Sequence, residues 1–215
     1  MSPFDDIAQD LTSYFDAKDL ARERSLRLSR TIIRDCGAAI RSVHREEFEQ
    51  AGRLMDRAGA ALEEINLLLD GHQDVRYAGF VGDAEQEYAE ARIVYSIITA
   101  QDMPGPDEIK VGMASYLTGL GDVVGELRRH ILDLIRRGRP EEGEGCLAVM
   151  EDIYHLLMVF DYPDAITRGL RRKSDVARSL LERTRGDLTN AMGRKKLETR
   201  LQKLEDKLKE ADHRL

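Results

Sequence analysis

Apolar residues recur every three or four positions along most of this chain, a spacing that is typical of amphipathic α-helices. Between residues 20 and 43 the spacing selects one buried face, made of Leu28, Ile32, Cys36, Ala39 and Val43. Clear runs that alternate between apolar and polar residues, as a half-buried strand would, are not seen. The pattern therefore predicts an all-α protein.

Helix-breaking residues divide this pattern into segments. The strongest interruptions are Asp70-Gly71, Met103-Pro104-Gly105-Pro106, Gly138-Arg139-Pro140 and Tyr162-Pro163. We expect one or two helices within residues 3–43, followed by helices over about 46–70, 74–101, 112–137, 141–160 and 164–193; the helix over 112–137 could begin as early as Pro106. A length of 215 residues without a low-complexity linker favours one continuous domain.

The last residues carry a different pattern. Leu197, Leu201, Leu204 and Leu208 alternate steps of four and three, which is the heptad spacing of a coiled coil. Charged residues flank the leucines, and fewer than three full heptads are present. We therefore predict a helical domain over residues 1–196 and a C-terminal helix over residues 197–215 that serves docking or oligomerisation.

Composition indicates where the protein works. No stretch approaches the roughly 18 consecutive apolar residues that a membrane span needs, and the N-terminus lacks the basic and apolar regions of a signal peptide. The two cysteines, Cys36 and Cys146, fall in apolar helical patterns and are interpreted as reduced core residues. We expect a cytoplasmic protein that does not associate with membranes.

The net charge of −7 is distributed unevenly. Residues 21–45 hold seven arginines and two acids (+5), residues 46–126 hold seventeen acids and five bases (−12), and residues 168–200 hold eleven bases and four acids (+7). An acidic middle between basic segments favours a metal site beside an anionic polymer. Ordinary solvated helix faces would produce the same distribution without any ligand.

Two pairs of acids fall within the acidic middle. Glu87 and Glu90 are three residues apart and share a helix face, and Asp122 and Glu126 are four apart on the next helix. If the two helices pack antiparallel, four carboxylates converge, which is costly unless a cation or shared protons relieve the repulsion. Mg²⁺ or Mn²⁺ would suit such a set, since these ions prefer oxygen ligands.

A solvated face and a di-iron centre are the alternatives to a Mg²⁺ or Mn²⁺ site. A solvated acidic face would need no ligand, but the apolar neighbours of Asp122 and Glu126 make unpaired acids expensive there. A di-iron centre requires Glu-x-x-His pairs, and the nearest match is a single Asp152…His155 pair. Asp83 and Glu85 are interpreted as peripheral, because Glu85 points away from the face shared by Glu87 and Glu90.

Five arginines line one face of the first long helix: Arg27, Arg30, Arg34, Arg41 and Arg45. Regularly spaced guanidinium groups can follow a phosphate backbone, so these are candidate nucleic-acid contacts. An exposed helix face without a partner accounts for them equally well. His44, near the end of this helix, is expected to be exposed.

Two motifs carry a resemblance to a known family. Gln86-Glu87-Tyr88-Ala89-Glu90-Ala91, followed by Gly121-Asp122-Val123-Val124-Gly125-Glu126-Leu127, resembles the translin superfamily and its catalytic branch, translin-associated factor X. The pattern from Arg24 to Arg45 is similar to the first long helix of that family. The resemblance covers residues 20–195, and the heptad tail departs from it. It implies a single-domain, seven-helix bundle that assembles into a closed homo-oligomeric shell, commonly an octamer.

The resemblance also implies an activity. It predicts a Mg²⁺-dependent (or Mn²⁺-dependent) endoribonuclease that cleaves single-stranded RNA, with Glu87, Glu90 and Asp122 as catalytic acids and Glu126 as a further metal ligand. Binding of single-stranded DNA and a separate translin-type partner subunit stay open. One alternative is a non-catalytic RNA- or DNA-binding shell. The other is an all-α nucleotide pyrophosphohydrolase, whose second acidic pair, Glu-x-x-Asp, differs in spacing from Asp122 and Glu126.

Overall fold

The computed structural model describes residues 3–212, and this range is helical without any strand. Six helices are 16 to 43 residues long and two are single turns. They are α1 (Pro3–His44), α2 (Phe48–Leu68), α3 (Gln73–Arg76), α4 (Gly79–Ile98), α5 (Met113–Arg136), α6 (Gly143–Met158), α7 (Asp164–Thr167) and α8 (Leu170–Asp212), with a 3₁₀ turn at Pro140–Glu142. The prediction of a single all-α domain is confirmed.

Two predicted helices, 74–101 and 164–193, are each split in the structure, and Arg168 is involved in both breaks. It has a left-handed backbone (φ 55°), as does Gly169 (φ 81°), and the pair separates α7 from α8. Its guanidinium donates to the Gly79 carbonyl oxygen (3.2 Å) at the start of α4. Ala78 is extended there (ψ 142°), so the segment predicted as one helix over 74–101 forms α3 and α4 instead.

Helix α8 continues without a break through Gly193 to Asp212. The boundary predicted at residue 196 therefore falls inside a helix, and residues 197–212 extend α8 rather than forming a separate element. Residues 213–215 of the predicted terminal helix lie outside the described range.

The long helices α1, α4, α5 and α8 run in one direction, and α2 and α6 run in the other. For α4 and α5 the direction follows from two hydrogen bonds, Ser115 to Glu85 (2.9 Å) and Gln86 to Asp122 (2.7 Å). The two helices are therefore parallel, and the acids adjoin without the antiparallel packing that was considered from the sequence. The reason is the connection over residues 99–112, since 14 extended residues reach about 46 Å and α4 is only about 30 Å long.

Close packing of α4 on α5 depends on glycine. A Cβ atom at Gly119 would lie 2.9 Å from the Gln86 carbonyl oxygen, so a larger residue would force the two backbones apart. Around this contact the core is built from fully buried side chains of every long helix: Ile32, Leu62, Ile93, Leu120, Leu127, Met150 and Leu188. Within residues 3–212, no helix has both the length and the apolarity to cross a membrane.

Candidate active site

The four predicted acids lie on the adjoining faces of α4 and α5, near the middle of the bundle. Glu90 is buried, with 8% of its surface exposed, and Glu87 is half-buried. Asp122 and Glu126 are at the edge of the core, with 27% and 25% of their side chains exposed. The parallel packing of α4 and α5 places Gln86 beside Asp122. From this contact, Glu87 and Glu90 continue along α4, and Glu126 lies one turn further along α5.

Asp122 accepts hydrogen bonds from two other elements. The Lys173 ammonium on α8 lies 2.5 and 2.7 Å from its two carboxylate oxygens, and the Gln86 amide donates to one of them at 2.7 Å. Gly121 makes room for the lysine, since a Cβ atom there would lie 2.8 Å from the Lys173 Cβ. A cation carried by the protein itself thus neutralises this acid.

Glu126 is bound from α1. The His44 Nε2 atom lies 2.6 Å from its carboxylate, and the Arg129 guanidinium lies 3.7 Å away. The hydrogen bond with His44, aided by the charges of His44 and Arg129, lowers the pKa of Glu126 despite partial burial. His44 is buried, so the expectation of an exposed histidine is wrong; its Nδ1 atom is buried without a hydrogen-bond partner.

Glu87 and Glu90 are in the opposite electrostatic situation. Burial, followed by the negative charges of Asp122, Glu87 and Glu126, raises the pKa of Glu90 to about 9. Burial and Asp122 also raise the pKa of Glu87, although the Lys173 charge opposes this. These two carboxyl groups therefore bind protons more readily than ordinary glutamates, because they are withdrawn from water and face other acids.

A basic cavity of about 700 Å³ adjoins Glu126 on the side of α1 and α5. His44 and Arg129, the two partners of Glu126, line it together with Asp133. Its other charged lining side chains are arginines: Arg41, Arg45, Arg128, Arg136 and Arg137. The cavity therefore offers a concentration of positive charge directly beside the acids.

Comparison with known proteins identifies the family. No protein-family model matches the chain. The uncharacterised protein MJ0175 of Methanocaldococcus jannaschii is 34% identical over 196 residues, which cover 91% of this chain and 87% of that protein. Two structures of the Archaeoglobus protein AfC3PO, one of them in complex with duplex RNA, match with 30% and 31% identity, TM-scores of 0.77 and 0.79, and coverage of 86% of this chain and 96% of theirs. The chain belongs to the translin superfamily.

The Nitrosomonas protein NeC3PO supports the fold of this translin-superfamily protein. Its structure without ligand has a TM-score of 0.73 and covers 89% of this chain and 98% of its own, with 22% identity. At 22% identity the match supports only the helical architecture. The translin-like bundle expected from the two motifs is therefore confirmed.

The donor set fits a hard divalent cation in its chemistry, but a ligand cluster is not preformed. Four carboxylates are ligands that Mg²⁺ and Mn²⁺ accept, and burial together with the neighbouring acids raises the pKa of Glu90 to about 9. In residues 3–212, however, no three histidine, cysteine, aspartate or glutamate side chains are grouped closely enough to hold a metal. Lys173 and His44 occupy Asp122 and Glu126 instead.

The predicted arginines divide into two groups in this translin-superfamily protein. Arg41 and Arg45 line the basic cavity, whereas Arg27, Arg30 and Arg34 are exposed farther along the same helix, where Arg34 lies 3.6 Å from Asp35. The cavity arginines of α5 were not predicted. Their signal was available, since Arg129 and Arg136 are seven residues apart on one helix and thus on nearly the same face.

Glu85 and Asp83 hold the structure together beside the acid cluster. Glu85 is buried and bound by Arg76 (2.6 Å) and Ser115 (2.9 Å). Asp83 is exposed and accepts from Arg168 at 2.8 Å. Glu85 faces away from Glu87 and Glu90, as the helical spacing predicted, whereas the charge of Asp83 contributes to the raised pKa of Glu87.

Proposed function

We propose that this protein is a Mg²⁺- or Mn²⁺-dependent endoribonuclease that cleaves single-stranded RNA within a homo-oligomer. The observation that carries the proposal is the acid cluster, in which Glu90 has a pKa raised to about 9 by burial and by three neighbouring acids. Such a cluster is costly for a protein without a ligand and useful for one that binds a divalent cation.

Glu87, Glu90 and Asp122 would hold the metal ion, with Glu126 as a fourth ligand. A bound divalent cation supplies a nucleophilic water and neutralises charge on a phosphoryl group. Binding requires that Lys173 leave Asp122 and that Glu90 lose its proton. Once released, the Lys173 ammonium is a donor on α8 within a side chain's length of the site and is available to a phosphate oxygen of the substrate.

The basic cavity would hold the RNA backbone. Arg129 contacts both Glu126 and the cavity, so a phosphate bound there lies next to the acids. Arg41 and Arg45 enter from α1, and bidentate guanidinium groups suit phosphate recognition. The structure of AfC3PO in complex with duplex RNA supports RNA as the polymer. Whether this protein cleaves single-stranded or duplex RNA is tested in the cleavage assay.

Cleavage of labelled single-stranded and duplex RNA with Mg²⁺, Mn²⁺ or EDTA tests the proposal. Glu87→Gln, Glu90→Gln and Asp122→Asn should each lower the cleavage rate at least about a hundredfold, because each removes a charged ligand from the site. Glu63→Gln is the control, since this exposed acid on α2 is paired with Lys110 away from the cluster. Full activity in any of the three site variants would exclude that acid from catalysis.

RNA binding is tested separately through its salt dependence. The double variant Arg41→Gln/Arg45→Gln should weaken binding and reduce the slope of log K against log[salt] by about 0.7 per lost phosphate contact. The double variant Arg27→Gln/Arg30→Gln, on the same helix but away from the cavity, should change the affinity and the salt slope less. Equal effects of the two double variants would place the RNA along the whole arginine face rather than in the cavity.

A non-catalytic RNA-binding protein is the second candidate. The observation that favours it is that Asp122 and Glu126 already have basic partners from the chain, as a structural cluster would. It predicts salt-dependent RNA binding with no cleavage stimulated by metal. Release of pyrophosphate from free nucleotides, measured in the same assays, would instead point to a pyrophosphohydrolase.

A further inference from the structure

The first turns of α1 carry an apolar stripe that the bundle leaves largely exposed, although its last member, Tyr14, meets the His72 ring edge-on at 6.3 Å. Ile7, Leu11 and Tyr14 are each more than half exposed. At 100° per residue they lie within about 60° of one another, on the same face as Ala21 and Ile32, which are buried. The core-facing side of α1 thus continues beyond the helices that it packs against.

The end of α8 carries a second exposed stripe. Leu201, Leu204 and Leu208 are also more than half exposed. Lys195 anchors the helix just before them, where its ammonium donates to the Gly138 carbonyl oxygen (2.7 Å) and to Glu141 (2.8 Å). Exposed apolar rows of this kind mark interaction surfaces.

The two stripes leave the bundle at opposite ends. The start of α1 passes α3, where Lys18 pairs with Asp74. The end of α8 passes the connection between α5 and α6, which an ion pair of Arg137 with Glu46 places beside the turn joining α1 to α2. These two ends are separated by the length of α2, about 31 Å. The stripes therefore cannot pair within one chain.

Their charges are complementary. Residues 3–20 contain five acids and one lysine, a balance of −4, whereas residues 194–212 contain seven bases and five acids, a balance of +2. Two copies of the α1 segment would repel each other, while an α1 segment beside an α8 segment is attracted. The segments also match in length, at 18 and 19 residues or about 27 Å each.

We propose that the start of α1 pairs with the end of α8 from a second copy of this chain. If the two copies are related by a twofold axis, the end of α8 in one copy meets the start of α1 in the other, and the same contact forms again at the far end. The paired helices are then antiparallel, and the contact closes into a dimer instead of propagating.

The heptad positions define a register for this pairing. Three apolar layers align, namely Ile7 with Leu208, Leu11 with Leu204, and Tyr14 with Leu201. Asp10 and Lys207 both precede a core position and flank the first two layers, so an antiparallel pair places them side by side. The opposite, parallel direction would instead bring Asp10 towards Glu198 or Glu205.

Cross-linking between chains that carry a single engineered cysteine tests the pairing. One chain carries Leu11→Cys and the other Leu204→Cys, both with Cys146→Ser; Cys36 is buried and stays in place. A short thiol-to-thiol bismaleimide should join the two chains when they are mixed and should leave each chain alone largely uncoupled. Coupling of Leu204→Cys with itself would show tail-to-tail pairing, and no coupling in the mixture would show that neither stripe meets a second copy; both outcomes overturn the proposal.

Charge exchange gives an independent measurement. Asp10→Lys and Lys207→Glu should each weaken dimerisation by roughly tenfold in sedimentation analysis, and the two together should restore most of it, because the pair is re-formed with reversed signs. Both residues are exposed, so the bundle stays folded. The test uses no RNA and no metal, so its outcome is separate from that of the nuclease proposal. Additive losses without rescue would rule out the proposed register.

Discussion

Glu87 and Glu90 on α4 differ from Asp122 and Glu126 on α5 in what surrounds their carboxyl groups. The α4 acids are buried among other acids, and burial raises both of their pKa values. Lys173 binds Asp122, and His44 binds Glu126 and lowers its pKa. The α4 half of the cluster therefore binds protons more readily than ordinary glutamates, whereas the acids of the α5 half are paired with the basic side chains Lys173 and His44.

This difference shows how an acid cluster can fold before its cation arrives. Four ionised carboxylates packed together on two adjoining helices would be strongly destabilising. The raised proton affinity of the α4 acids and the two basic side chains beside the α5 acids reduce that cost. A divalent cation would replace both the protons and the Lys173 contact. Metal binding should therefore release protons and free Lys173.

The largest effect on stability should come from Glu90→Gln in EDTA. Because the folded pKa of Glu90 is raised to about 9, the acid's contribution to stability is fully present only below the unfolded pKa near 4.5 and is lost as the pH rises towards 9. A neutral glutamine has no such penalty. At pH 7.5 the variant should be more stable by on the order of 2 kcal/mol, or roughly 4–8 °C in Tm.

Thermal unfolding at pH 4.5 and 7.5 checks this prediction, since the gain should vanish at the lower pH. Glu63→Gln is the control, because Glu63 is an exposed acid whose pKa is lowered by Lys110, and its removal should bring no gain. A Glu90→Gln variant that is less stable than wild type at pH 7.5 would mean that Glu90 is ionised and paired in the folded protein.

Lys173→Met tests the α5 half and should have a smaller effect. It leaves Asp122 without its ammonium partner, and since both side chains are about 30% exposed we expect a loss of about 1 kcal/mol in EDTA. Saturating Mg²⁺ should recover this loss, because the cation takes the place of the ammonium. Isothermal titration should also find tighter Mg²⁺ binding, since Lys173 no longer competes.

Lys110→Met provides the comparison for this variant. Lys110 pairs with Glu63 on the surface and away from the acids, so its removal should leave Mg²⁺ affinity unchanged. Weaker Mg²⁺ binding by Lys173→Met than by wild type would instead make Lys173 part of the metal-loaded site.

Local spacing predicted the features that depend on a single helix. The 3–4 periodicity located the buried face of α1 between residues 20 and 43, and the i, i+3 and i, i+4 spacing located both acid pairs. It also separated Glu85 from the Glu87 and Glu90 face, and Glu85 is indeed bound elsewhere, by Arg76 and Ser115. These properties follow from helical geometry and need no knowledge of the tertiary structure.

Features that depend on how helices meet were not predicted. Whether α4 and α5 run parallel depends on the path of residues 99–112, which has no periodic signal. Lys173 and His44 reach the acids from 51 and 82 positions away along the chain. Nothing near them in sequence distinguishes them from other basic residues on helices. The prediction that His44 is exposed failed for this reason.

His44→Gln should have the smallest effect on stability. It tests the pairing of Glu126 on α5 through the pH dependence of unfolding. His44 lowers the pKa of Glu126, so the stability gained from this pair is present above the ordinary carboxyl pKa near 4.5 and is lost as the pH falls through the lowered value. Wild type should therefore exceed His44→Gln by about 0.5–1 kcal/mol at pH 6, with the difference disappearing in strong acid. Arg129→Gln, whose guanidinium is 3.7 Å from Glu126 and half exposed, should change less across the same pH series of thermal unfolding. If Arg129→Gln has the larger effect, Glu126 is held by the cavity arginines rather than by α1, and the α5 half belongs to the RNA-binding surface.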